Sequence, residues 1–162
     1  MNGVKIYCWD KHIEIAVGKY CSFADNITII AGGEHDKDWV STYPFIDRWK
    51  LIEYQDLKKP RFKGNIIIEN DVWISNNVII LSGGTIHNGA VIGAGSLVTK
   101  DVPAYSIIGG NPAKNIGYRF DEDIINALEN LKWWDWSEEK IRNNIKEFTN
   151  IQHFINLHTN GK

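Results

Sequence analysis

The stretch "GGEHDKDWVSTYPF", Gly32 to Phe45, gathers residue types able to do chemistry. His35 stands between Glu34 and Asp36, follows two glycines and precedes Trp39, Tyr43 and Phe45. An imidazole in such company can exchange a proton near neutral pH, hold a metal, or simply lie solvated in a loop. The glycines let the backbone turn tightly or approach a ligand. The carboxylates could orient the ring, and the three aromatics could wall a pocket. These residue types alone single out no reaction.

The elements that must position this stretch show in a six-residue beat. Val17, Phe23 and Ile29 precede it, and Phe62, Ile68, Ile74, Ile80, Ile86, Ile92 and Val98 follow. Four residues after each comes a small or apolar side chain: Cys21, Ile27, Gly33, Ile66, Val72, Val78, Gly84, Ala90, Ser96 and Val102. Turn-formers fill the gaps, as in "IENDVW", "ISNNVI" and "IHNGAV". Neither the helical period nor strand alternation fits, which disfavours a sandwich of short strands. A hexapeptide repeat fits: short strands joined by tight corners and stacked as a parallel β-helix. About residues 35–61 leave the beat, as a loop inserted at a corner does without disturbing the stack.

After Val102 a helical pattern takes over. Asp121 and Ser137 are predicted N-caps; Ile124, Ile125, Leu128 and Leu131 form one apolar face, and Ile141, Ile145 and Phe148 another. Trp133, Trp134 and Trp136 are expected to pack these helices onto the coil. From Thr149 onward the chain reads as polar and frayed. Residues 1–120 are thus expected to form a β-helix domain and 121–162 a helical extension.

Composition narrows the partners. A formal charge of −2 and a pI near 6.2 give no basic face for nucleic acid or an anionic membrane. The polar start "MNGVKIYCWDKH" lacks the apolar core of a signal peptide, and no apolar run approaches a membrane span. Cys8 and Cys21 fit neither a disulfide framework nor a zinc site. A cytoplasmic location is expected.

With its neighbours, "GGEHDKDWVSTYPF" closely resembles the catalytic loop of the xenobiotic acetyltransferases, hexapeptide-repeat enzymes that include type B chloramphenicol and streptogramin acetyltransferases. The resemblance continues through "NDVWISNNVIILSGGTIHNGAVIGAGSLVTKDVPAYSIIGGNPAKNIGYRF" and covers roughly Val17 to Trp136. It implies a left-handed parallel β-helix with C-terminal helices, all-β apart from these, assembled as a homotrimer. It also implies acetyl-CoA as co-substrate, sites between subunits, and His35 as general base. The chemistry agrees: an imidazole is a stronger base than a carboxylate by about two pK units. General-base assistance gives a rate factor of about 10²–10⁴.

The same resemblance places the acyl donor along a groove kept open by small residues, Gly84, Ala94 and Ser96 among them. Thr99, Lys100 and Lys114 are the candidates for the CoA phosphates. Trp39, Tyr43, Phe45 and the outward-facing Trp73 are the candidates for the acceptor. Carbonic anhydrases on the same coil bind zinc through three histidines, but His12, His87, His153 and His158 lack such spacing, so no metal is expected. His87 reads as a solvated residue of a flat face.

Only about sixteen residues precede Val17, fewer than in the family, and the loop "IDRWKLIEYQDLKKPRFKGN" is charged. These departures bear on the acceptor. A hydroxyl of a small polar compound, such as a surface-glycan sugar, is expected, with chloramphenicol or a streptogramin as the alternative. An amine acceptor, a non-catalytic scaffold and a metal-dependent hydratase complete the field.

Overall fold

Each six-residue unit of the sequence forms one short strand and one corner, and three units close a coil. The computed structural model describes residues 3–9, 11–57 and 63–159. The first partial coil is β1 (Val4–Cys8). Coil 1 comprises β2 (Ile15–Val17), β3 (Ser22–Phe23) and β4 (Ile27–Ala31). Coil 2 comprises β5 (Ile66–Ile68), β6 (Trp73–Ile74) and β7 (Ile79–Leu81), and coil 3 β8 (Gly84–Ile86), β9 (Val91–Ile92) and β10 (Leu97–Val98). The top is completed by β11 (Ser106–Gly109) and β12 (Lys114–Tyr118).

Stacking these coils produces three sheets, one per side of a prism: β1-β4-β7-β10, β2-β5-β8 and β12-β11-β9-β6-β3. The ladders are parallel except β11–β12, which is antiparallel and turns the chain off the stack. Register matches the beat: Ile68 lies beside Ile86, Ile74 beside Ile92 and Ile80 beside Val98. Ile29, Ile68, Ile74, Ile80, Ile86, Ile92 and Val98 are all buried, as are Ile27, Ile66, Val72, Val78, Ala90, Ser96 and Val102. Each large aliphatic side chain contributes about 1.5–3 kcal/mol by leaving water.

One column residue departs from expectation. Val17 is 51% exposed because β2 is the edge strand of its sheet, with no coil beneath it. Phe62 lies outside the described residues.

The corners explain the turn-formers. Asn26 (φ 61°), Asn77 (φ 60°) and Asp71 (φ 57°) take the left-handed conformation, which Asn and Asp tolerate better than most residues. Their neighbours knit the coils together: the Asn70 side-chain oxygen accepts from Lys19 N (2.9 Å), and that of Asn88 accepts from Asn70 N (3.0 Å).

The extension contains α2 (Glu122–Leu131), α3 (Glu138–Asn143) and α4 (Ile151–Thr159); the four-residue α1 (Phe45–Arg48) belongs to the loop. The predicted caps are formed: Asp121 accepts from Ile124 N at 2.9 Å and Ser137 from Lys140 N at 3.2 Å. Ile124, Ile125, Leu128 and Leu131 join one aromatic-rich cluster with the buried Tyr105. Trp134 is buried, Trp133 lies 5.1 Å from the Tyr20 ring, and Lys19 Nζ donates to the Trp134 carbonyl and pairs with Asp135. Trp133 and Trp134 therefore do meet the coil, whereas Trp136 packs within the extension on Phe148, Phe154 and His158.

Two expectations about the extension fail. The segment after Thr149 is not loose: "IQHFINLH" places Ile151, Phe154, Ile155 and His158 on one helical face, and Phe154 and Ile155 are buried. Ile145 is exposed, because α3 ends at Asn143 and the apolar face breaks there.

Candidate active site

β4 ends at Ala31, where the following coil would ordinarily begin. Gly32 (φ 79°) and Gly33 (φ 88°) instead take the chain out of the stack. A β-carbon on Gly33 would lie 2.6 Å from the Trp9 ring, so glycine is required there twice over. The chain then bends back so that His35 Nδ1 lies 2.6 Å from the Thr42 carbonyl oxygen. A carbonyl only accepts, so Nδ1 carries the proton and the neutral ring keeps its basic lone pair on Nε2. Turns at 36–38 and 41–43 are fixed by Asp38 N donating to Asp36 (3.2 Å) and Tyr43 N to Ser41 (3.1 Å). Buried Ile46 of α1 anchors the far side.

Around His35 opens a cavity of about 660 Å³. Its walls include Trp9, Trp39 and Tyr43, with Glu34, Asp36, Asp47 and Arg48 as charged members. Glu34 also closes the loop: its carboxylate pairs with Lys63 Nζ at 3.1 Å and accepts from Ser82 Oγ at 3.4 Å. The excursion thus returns to the edge from which it left.

Of the candidates for the acceptor, Trp39 and Tyr43 line this cavity, whereas Phe45 does not. Its ring packs at an angle against Tyr43 (4.8 Å) and Trp49 (4.7 Å), because Ile46 takes the inward position of α1. Trp73 is an outward, exposed residue of β6, on a different side of the prism.

The candidates for the acyl donor divide between two edges. The edge that follows β4, β7 and β10 carries His35, then Gly84, then Thr99 and Lys100. Gly84 packs so closely that a β-carbon would meet the Lys100 carbonyl carbon at 2.9 Å. Thr99 and Lys100 line a cavity of about 330 Å³ with Asp101 and Asn115. The edge between β9 and β10 carries Ala94 and Ser96, with Lys114 near its top at the start of β12. Ser96 is buried and its hydroxyl donates to the Gly93 carbonyl, so it serves the corner.

Other titratable groups fall into place. His87 is half-buried rather than fully solvated, with Nδ1 3.2 Å from the Glu69 carboxylate. Burial pushes the Cys21 thiol up, and Sγ donates to the Glu69 carbonyl (3.0 Å). Among the described residues no group of three metal-ligating side chains occurs.

The residues missed in the sequence are Trp9, Lys63 and the Thr42 carbonyl. A carbonyl carries no sequence signal. Trp9 precedes the beat, and only the pairing of Cys8 with Ala31 brings it to the site.

No family model matches the chain. The chain is 41% identical over 131 residues to a chloramphenicol acetyltransferase of Agrobacterium fabrum, covering 79% of this chain and 63% of that protein. It is 40% identical over 140 residues to a protein of Lysinibacillus sphaericus named probable macrolide acetyltransferase, covering 84% and 77%. A galactoside acetyltransferase solved in complex with coenzyme A superposes at a TM-score of 0.53 with 29% identity, over 74% of this chain and 51% of that one. The hexapeptide coil, the looped-out histidine and these relatives together define a class, and the chain belongs to the xenobiotic acetyltransferase family of hexapeptide-repeat proteins. It spans 63% of the length of the Agrobacterium relative.

Proposed function

We propose that the protein is an acetyl-CoA-dependent O-acetyltransferase in which His35 is the general base. The observation that carries this reading is the His35 Nδ1–Thr42 carbonyl contact, which leaves Nε2 to carry the lone pair of the neutral ring, in a residue that lines the cavity. Nε2 takes the proton of an acceptor hydroxyl as that oxygen attacks the thioester carbonyl carbon. A backbone N–H stabilises the tetrahedral oxyanion. Collapse breaks the C–S bond, and the imidazolium returns its proton to the departing CoA thiolate. The products are an acetyl ester and free CoA.

The division of the donor candidates between two edges supports a homotrimer with sites between copies. One copy would supply His35, Gly84, Thr99 and Lys100, and its neighbour Ala94, Ser96 and Lys114. A small hydroxylated acceptor, a glycan sugar above all, suits a cavity walled by Glu34, Asp36, Asp47 and Arg48. The galactoside-acetylating relative supports that reading. The relatives named for chloramphenicol and macrolides support the second, antibiotic acceptor, for which Trp39 and Tyr43 offer apolar contact.

Thiol release from acetyl-CoA, followed with sugars, sugar nucleotides, chloramphenicol and streptogramins, tests the proposal. Turnover with at least one hydroxylated acceptor, lost in His35→Ala, is expected. Near-normal turnover by His35→Ala defeats it.

A further inference from the structure

We infer that Arg48 is a specificity-determining residue for an anionic acceptor. The molecule that brings its hydroxyl to His35 also carries an oxyanion, a carboxylate or a phosphate, which the Arg48 guanidinium holds. This rests on the proposed acetyl transfer and adds the charge class of its acceptor.

Most charges on the cavity wall are already engaged. Glu34 pairs with Lys63 (3.1 Å) and accepts from Ser82 (3.4 Å). Asp36 accepts from the Asp38 backbone N–H at 3.2 Å and has a further partner, and Asp47 has a partner as well. Lys37, between Asp36 and Asp38 in the loop, is paired with Asp38 at 2.7 Å. Arg48 differs. Among the described residues its guanidinium forms no ion pair or hydrogen bond, although the residue lines the cavity with His35. Its backbone is nonetheless fixed: buried Ile46 anchors α1, and Arg48 N donates to the Pro44 carbonyl at 3.0 Å. Leu51 N then closes on the Ile46 carbonyl at 2.9 Å. A cation is held on the wall with its donors unspent.

The chemistry of a guanidinium selects the ligand. It keeps its charge at every working pH, accepts nothing, and presents its donors in a planar fork. That fork matches the paired oxygens of a carboxylate or a phosphate, and such charge-assisted bonds are the strong ones. Trp9, Trp39 and Tyr43 on the same wall lower the effective dielectric around an ion pair formed there and so strengthen it. A bidentate grip also fixes the orientation in which the acceptor presents its hydroxyl to the imidazole. A neutral acceptor leaves the fork to solvent and gains nothing from it.

Matched pairs of hydroxylated compounds test this: methyl glucuronide against methyl glucoside for a carboxylate, and glycerol phosphate against glycerol for a phosphate. Affinities are measured by saturation-transfer NMR and titration calorimetry with the unaltered protein, Arg48→Ala and Arg48→Lys. The anionic member of at least one pair is expected to bind about tenfold more tightly than its neutral partner. Arg48→Ala should abolish that preference without changing the affinity for the neutral member, the affinity for CoA or the melting temperature. Arg48→Lys, which keeps the charge but not the fork, should restore part of it. Raising the ionic strength should narrow the preference of the unaltered protein. Binding of neither anion, equal affinity within both pairs, or a preference that survives Arg48→Ala overturns the inference. A loss of CoA affinity in Arg48→Ala assigns the cation to the donor's phosphates and overturns it too. So does an equal loss for both members of a pair with a lowered melting temperature, which marks a merely structural role. His35→Ala separates the two proposals: loss of turnover with the anion preference retained supports both. Retained turnover defeats the acetyl-transfer mechanism, while the Arg48 affinities still decide the charge class.

Discussion

The coil and the loop of this protein are built on opposite terms. In the coil, each aliphatic residue repeats its neighbour's environment: Ile68, Ile74, Ile80, Ile86 and Ile92 are all buried, and any one could stand for the others. In the 34–63 excursion only Ile46 is buried among the described apolar residues, and each polar side chain has its own task. Glu34 holds the return, the Thr42 carbonyl fixes an imidazole, and Ser41 shapes a turn. The stack supplies stability without distinction, while the loop supplies distinction with little stability of its own. A fold can separate the two because an edge of the prism absorbs an insertion without changing the register of the strands beside it.

Mutations should therefore sort by region. The largest expected effect is on rate: His35→Ala lowers kcat by about 10²–10⁴ and leaves the urea unfolding midpoint unchanged. Ile80→Ala should do the reverse, costing about 2–5 kcal/mol of unfolding free energy by equilibrium denaturation while the remaining folded protein keeps its KM values. Gly83→Ala probes the seam between the regions. Gly83 has φ 88° and a β-carbon there would overlap the Lys63 carbonyl oxygen, so the loop's return must shift. A loss of about 1–3 kcal/mol, together with a raised KM for the acceptor in steady-state assays, is expected.

The smallest effect lies outside both regions. Burial against Trp136 and Phe154 holds the His158 imidazole below its ordinary value; Lys140 and His153 add to this and Glu147 opposes it. The folded state then binds fewer protons than the unfolded one, so stability is full above the ordinary histidine range near ~6.5 and falls as pH drops through it. Melting curves at pH 8 and pH 5.5 should show this loss, and His158→Gln should reduce it.

The same contrast explains what could be read from the sequence. The interior of the coil was legible because burial imposes a period, and six-residue spacing located the strands from Ile27 to Val98. The period failed at its ends: Val17 keeps the beat but borders no lower coil, and Tyr20 (φ 60°) and Tyr105 (φ 54°) take left-handed corners that Asp71 and Gly89 fill in the coils between them. His35 was legible from the resemblance carried by its neighbours, and the stretch itself suggested a pocket. What orients it was not, since the Thr42 carbonyl belongs to a backbone shared by every residue type. Trp9 was invisible for a different reason. Its approach depends on β1 pairing with β4, a contact set by three-dimensional register across a short partial coil.

The Glu34–Lys63 clasp has one more consequence. Because it ties the ends of the excursion together beside Ser82, the chain between them behaves as an exchangeable cassette held by a fixed buckle. Its length enters the free energy only through a slowly growing closure entropy. Most of the cavity wall, Trp9 and Gly33 apart, can then be rewritten within the cassette, while the Ile pillar beneath keeps the same foundations.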